Sequence, residues 1–117
     1  MSVMFRQTAP LMLPYRTTWT GKRFTISVPV RTRGRRAVRL HFAEPVARRR
    51  GARVFDVAVE GRRVLRGFDV FAAAGGRRGV AVVRTVTAHV TDGRATIRFT
   101  ARRGAAILSA VEVLPVR

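Results

Sequence analysis

The chain has no cysteine in 117 residues, which excludes a disulfide framework and a thiolate metal site and leaves the redox compartment unmarked. Acids are scarce: Asp and Glu together number six against twenty-four Lys and Arg, for a formal net charge of +18. Lysine occurs only as Lys22, so every other basic residue is arginine. With abundant Ala, Gly and Val, that skew is what a GC-rich coding sequence produces without selection for a partner. Long hydrophobic runs are missing too. The start, "MSVMFRQTAPLMLPYR", is broken by Arg6, Pro10 and Pro14, with no small-residue cleavage site after it. It predicts neither a signal peptide nor a membrane-spanning helix. The protein is then cytoplasmic, or the chain is a piece of something longer whose signal lies elsewhere.

What is present argues for a folded domain. Apolar residues make up 47% of the chain, enough to oppose the disorder that the charge alone would suggest. A single domain of this length buries roughly 65% of its unfolded surface. The pattern is period two almost throughout. "RFTISVPV" alternates Phe24, Ile26, Val28 and Val30 inward; "AVRLHFA" repeats this with Val38, Leu40 and Phe42; "RVFDVAVE" with Phe55, Val57 and Val59; "RATIRFT" with Ala95, Ile97 and Phe99. "GVAVVRTVTAHV" reads as another strand, and "AAILSAVEVLPV", apolar on both sides, as a central or covered one. Arg-Gly, Glu-Gly, Gly-Gly and Asp-Gly pairs separate the runs. Asp92-Gly93 is the strongest hairpin signal, and "DVFAAAGG" suggests one turn of helix. Short strands at this spacing predict an all-β, antiparallel sandwich or barrel.

The turn arginines form clusters at Arg31 to Arg36, Arg48 to Arg50, Arg62 and Arg63, Arg77 and Arg78, and Arg102 and Arg103. In an antiparallel fold these divide about evenly between the two ends, a diffuse halo without interleaved aromatics. That argues against a dedicated nucleic-acid surface. Weak, salt-sensitive adhesion to polyanions follows from the charge alone.

Three of the six acids follow a phenylalanine or a Phe-Ala pair: Glu44, Asp56 and Asp69. On a strand, phenylalanine enters the core while its neighbour faces outward, where a carboxylate can accept backbone or arginine hydrogen bonds. Structural acids are preferred over a glycosidase pair, which needs two carboxylates across a cleft. His41 and His89 stand alone within alternating strands and lack zinc spacing. "AAAGGRRG" lacks the strand-turn-helix context of a phosphate loop. No catalytic residue, metal site or cofactor is expected.

The ordered set "RFTISVPV", "VRLHFAE", "RVFDVAVEGRRVLRGFDV", "AAAGG", "VTDGRATIRF" and "AAILSAVEVLP" resembles the malectin family of carbohydrate-binding domains from about Tyr15 to Val116. The resemblance implies an antiparallel, jelly-roll-like β-sandwich over residues 15–117, preceded by an irregular segment over 1–14. It also implies no catalysis, a glycan or polysaccharide partner and an extracytoplasmic setting. It assigns Glu44, Asp56 and Asp69 to the framework. The family's first strand has no counterpart in "MSVMFRQTAPLML". Its aromatic pair after Phe-Ala-Glu is replaced by Pro45, Val46 and Ala47, and its acidic, aromatic loop before the last strand by "ARRGAA".

Sugar rings stack on exposed aromatic side chains, with polar groups taking the hydroxyls. The only Tyr and Trp lie together in "PYRTTWTG", which makes Tyr15 and Trp19 the stacking candidates; the alternative is that they cap the sandwich core. Arg48, Arg49 and Arg50 occupy the loop that replaces the aromatic pair and would favour an acidic polysaccharide. A rival reading is a structural module that has lost its sugar and pairs with itself or a partner domain through an exposed edge strand.

Overall fold

The computed structural model describes residues 19–116. The elements run β1 (Trp19–Gly21), β2 (Arg23–Pro29), β3 (Gly34–Phe42), β4 (Val54–Val59), β5 (Arg62–Phe68), α1 (Val70–Ala73), β6 (Val82–Val90), β7 (Arg94–Arg103), β8 (Ala106–Leu108) and β9 (Ala110–Pro115). Every pairing among them is antiparallel. They build a four-stranded sheet in the order β2-β7-β4-β5, a three-stranded sheet β6-β3-β9 and a short ribbon β1-β8. Tyr15 and the irregular segment 1–14 lie outside the described residues.

The period-two pattern explains why the two larger sheets close on each other. Ile26, Val28, Val38, Leu40, Phe42, Phe55, Val57, Ile97 and Phe99 are all fully buried, each burial being worth about 1.5–3 kcal/mol before entropy is counted. Phe42 of the three-stranded sheet meets Phe55 and Phe68 of the other at ring separations of 5.8 and 4.9 Å. The architecture is the expected all-β antiparallel sandwich. The doubly apolar last segment is buried from Ala106 to Val113 and divides at Ser109. β8 turns away to pair with β1 while β9 stays beside β3.

Local chemistry sets the connections. Asp69 caps α1, its Oδ1 accepting from the Ala72 amide at 3.1 Å, and Gly75 and Gly76 end the turn at positive φ. Glu60-Gly61 makes a two-residue hairpin between β4 and β5, with φ of 52° and 78° as a type I′ turn requires. Asp92-Gly93 corrects the sequence expectation. It reverses the chain, but β6 and β7 belong to different sheets, so the turn is a crossover. Turn chemistry specifies a reversal and leaves open which sheet receives the next strand.

Register also turns Arg84 toward the inner face. Leu40 pairs with Arg84, so Arg84 faces the sandwich interior at the sheet edge, where its guanidinium lies 5.4 Å over the Phe68 ring, a cation–π contact. His41, on the outer face of β3, is buried and lies 2.8 Å from Glu112 Oε1 on β9. His89 is exposed.

Candidate functional site

The three acids beside phenylalanine all take part in tertiary scaffolding. Glu44 is fully buried. Its Oε2 accepts the amides of Val46 and Ala47 at 3.1 and 2.9 Å, and its Oε1 accepts from Arg53 Nε at 2.7 Å. Arg53 Nη1 then donates to the Ala105 carbonyl at 2.7 Å. Asp69, besides capping α1, accepts the Gly51 amide at 2.6 Å. Asp56 points outward from β4, accepting the Gly67 amide at 2.8 Å and pairing with Arg102 at 3.0 Å.

Through Glu44 and Arg53 the loop after β3 is fastened to the turn between β7 and β8. Gly104 fits that junction closely: a Cβ there would lie 2.9 Å from the Ala52 carbonyl oxygen, and its φ of +66° also favours glycine. Between the joined loops lies a cleft of about 540 Å³. Thr20 and Lys22 line one side, Val46, Ala47, Ala52 and Arg53 a second, and Gly104 and Ala105 a third. Val46 is 64% exposed and offers an apolar surface. Lys22 is exposed, and Arg53 is held in place by the bonds above. The cleft can thus accept a partly apolar molecule carrying acceptors or an anionic group.

The sequence candidates distribute unevenly around this cleft. Tyr15 is outside the described residues. Trp19 pairs with Leu108 across the β1-β8 ribbon and packs on the core, half-buried, while its neighbour Thr20 lines the cleft. Arg48 and Arg49 are exposed on the loop without lining the cleft. Arg50 lies against the α1 turn, its Nη2 3.4 Å from where a Gly76 Cβ would stand. Lys22, Val46 and Gly104 were missed by sequence reasoning. Two of them nevertheless fall in the segments, Pro45 to Ala47 and "ARRGAA", that replace the family's aromatic loops. A second cleft, about 440 Å³, lies at the other end between Pro29, Val30, Val113 and Pro115, with Arg36 on its rim.

The carboxylates make a pH prediction. Burial by itself would raise Glu44, but the Arg53 hydrogen bond, the Ala47 and Val46 amides and the Arg53 charge outweigh it and hold the carboxyl below its usual value. At Asp56 burial is likewise the largest single effect and would raise the carboxyl, but the Gly67 amide and the Arg102 and Arg63 guanidinium groups together outweigh it. Lowered folded-state values mean that this stabilisation is fully present above the unfolded values of about 3.9–4.3. It is lost as pH falls through the lower folded ones. Thermal melts should therefore show the melting temperature falling as pH drops below about 4.

A family model described as "Malectin domain" matches residues 5–112. No curated protein matches the chain. Among solved structures, the ANX2 ectodomain from Arabidopsis thaliana is 20% identical, with a TM-score of 0.69 over 78% of this chain and 28% of that one. The ANXUR1 extracellular domain from the same plant is 17% identical, with a TM-score of 0.70 over 78% of this chain and 26% of that one. A Bacteroides uniformis beta-glucuronidase is 16% identical, with a TM-score of 0.67 over 84% of this chain and 11% of that one. These likenesses are in fold. The chain spans 28% or less of each of these neighbours.

Proposed function

The chain belongs to the malectin domain family, and from that premise we propose that it is a non-catalytic carbohydrate-binding module whose ligand enters the cleft at the loop end of the sandwich and carries an acidic group. The observation that carries this reading is the cleft itself. It joins the loop after Phe-Ala-Glu to the loop before the last strand, in a family of carbohydrate-binding domains. In place of aromatic walls it offers one apolar patch, Val46, and one exposed cation, Lys22. An ammonium group there favours a carboxylate- or sulfate-bearing sugar over a neutral one. Arg48 and Arg49, exposed on the same loop, add to the attraction. Of the two candidates for ring stacking, Trp19 packs on the core beside the cleft-lining Thr20 and Tyr15 lies outside the described residues.

Catalysis is not part of the proposal. A glycosidase needs both carboxyls open to substrate on either side of one bond. Glu44 is sealed behind Arg53, and Asp56 is engaged by Gly67 and Arg102.

Trp19 fluorescence tests the reading, because the residue adjoins the cleft-lining Thr20. A uronate oligosaccharide should shift the emission at moderate salt, a neutral oligosaccharide of equal length should bind more weakly, and Lys22→Ala should weaken uronate binding about tenfold. Equal binding of neutral and acidic sugars, or emission unmoved by any sugar, would defeat the proposal. Affinity that collapses with salt and ignores sugar identity would point to general polyanion adhesion.

A further inference from the structure

The turn arginines surround the molecule, but the strand arginines do not. Pairing places Arg23 of β2, Arg94, Arg98 and Arg102 of β7, and Arg63 of β5 on the outer face of the four-stranded sheet. The outer face of the three-stranded sheet carries only Arg35 and Arg39, and Arg39 lies 3.4 Å from Glu112. A compositional surplus of arginine would fall on both faces alike.

Arg94, Arg98 and Arg102 recur at every fourth residue of one strand, which spaces them about 13 Å apart in a row about 27 Å long. Arg98 sits at its centre, paired with Thr25 on one side and Ala58 on the other, with Arg63 beyond Ala58. The face's two acids are already engaged. Asp56 is held by Gly67 and Arg102, and Glu60 Oε2 accepts the Thr96 amide at 2.7 Å. Arg94 is steadied by a 2.9 Å bond to Ser27 Oγ. Arg23 and Arg98 have no ion-pair or side-chain hydrogen-bond partner among the described residues. Between the guanidinium groups stand the hydroxyls of Thr25, Ser27, Thr96 and Thr100, and no outward position of β2, β7 or β4 is aromatic.

We propose that this sheet face is a second binding surface, separate from the loop cleft, for an extended polysaccharide bearing carboxylate or sulfate groups. Guanidinium forks match both oxyanions in a bidentate way, and the hydroxyls between them suit sugar hydroxyls. Single-stranded nucleic acid would lack the aromatic platform on which its bases stack. The choice of a polysaccharide rests on the carbohydrate-binding reading above; the location of the surface does not.

Binding of a heparin oligosaccharide to the full chain tests it, with a short DNA duplex as competitor. Arg23→Gln combined with Arg98→Gln should lower heparin affinity about tenfold and reduce the slope of log affinity against log salt by about one to two. Arg33→Gln with Arg35→Gln removes the same charge elsewhere and should change affinity by less than about twofold. Unchanged melting temperatures certify the fold of each variant. Equal losses from both arginine pairs would show charge without a site and overturn the proposal. So would a DNA duplex that suffers the same loss and displaces heparin at equal salt. Failure of the cleft reading appears separately, as uronate binding at Trp19 insensitive to Lys22→Ala.

Discussion

Glu44→Ala lowers the stability of the domain by about 3–5 kcal/mol, a fall in melting temperature of about 10–20 °C for a chain of this size. The size follows from what is abandoned. Glu44 is fully buried and Arg53 only 13% exposed, so the substitution leaves a cation and two amides facing an empty, apolar space. Removing one member of such a pair costs far more than the pair itself contributes. Glu44→Gln retains an acceptor for one side of the network and loses the charge, so it should cost less, about 1.5–3 kcal/mol. Thermal melts at pH 7 measure both. A second readout is local: hydrogen exchange at the Val46 and Ala47 amides should accelerate in the alanine variant. A stability loss below about 1 kcal/mol would mean that the loop is held by something other than this carboxylate.

Phe55→Ala produces a loss of similar size from the opposite kind of interaction, about 3–5 kcal/mol. Phe55 is fully buried. Its ring lies 5.8 Å from Phe42, 5.7 Å from Phe68 in an edge-on contact, and 6.3 Å from Phe99. Truncation opens a cavity that four strands would have to collapse to fill, and β4 is flanked on both sides by β5 and β7. Phe55→Leu should recover most of the loss, to within about 1.5 kcal/mol of the parent. The two large effects separate by pH in denaturant titrations. The Glu44 deficit shrinks as pH falls below the unfolded value of about 4.3 and through the lower folded one, where the parent's own carboxylate takes up its proton, while the Phe55 deficit persists. A Phe55 deficit that also shrank with acid would show that the aromatic cluster acts through the charged loop.

Much of this architecture could be read along the chain, because burial in a two-layer sandwich alternates with the residue number. Ile26 and Val28, Val38 and Leu40, Phe55 and Val57, Ile97 and Phe99 all enter the core where the period-two pattern put them. Asp56 was legible for the same reason: a side chain flanking a core residue on a strand leaves the core, and a carboxylate there finds amides and guanidinium groups. The alternation did not place Glu44, buried two residues past Phe42 beyond the end of β3, or Asp69, which caps α1. What escaped was anything decided by which strand lies beside which. Asp92-Gly93 carries a hairpin's chemistry and joins two sheets. The arginines of β7 look unremarkable in "RATIRFTARR" and become a row only when register sets Arg98 beside Ala58 and Arg63. The cleft is of this kind too. Lys22 and Val46 are 24 residues apart in sequence and meet only because the fold brings both to the lining of one cleft.

The lone lysine has a chemical corollary. Since Lys22 bears the chain's only side-chain amine and borders the cleft, acylation of side-chain amines, whether by a succinimidyl ester or an acetyltransferase, converges on that mouth. One modification would erase its positive charge and narrow its entrance, leaving all twenty-three arginines untouched.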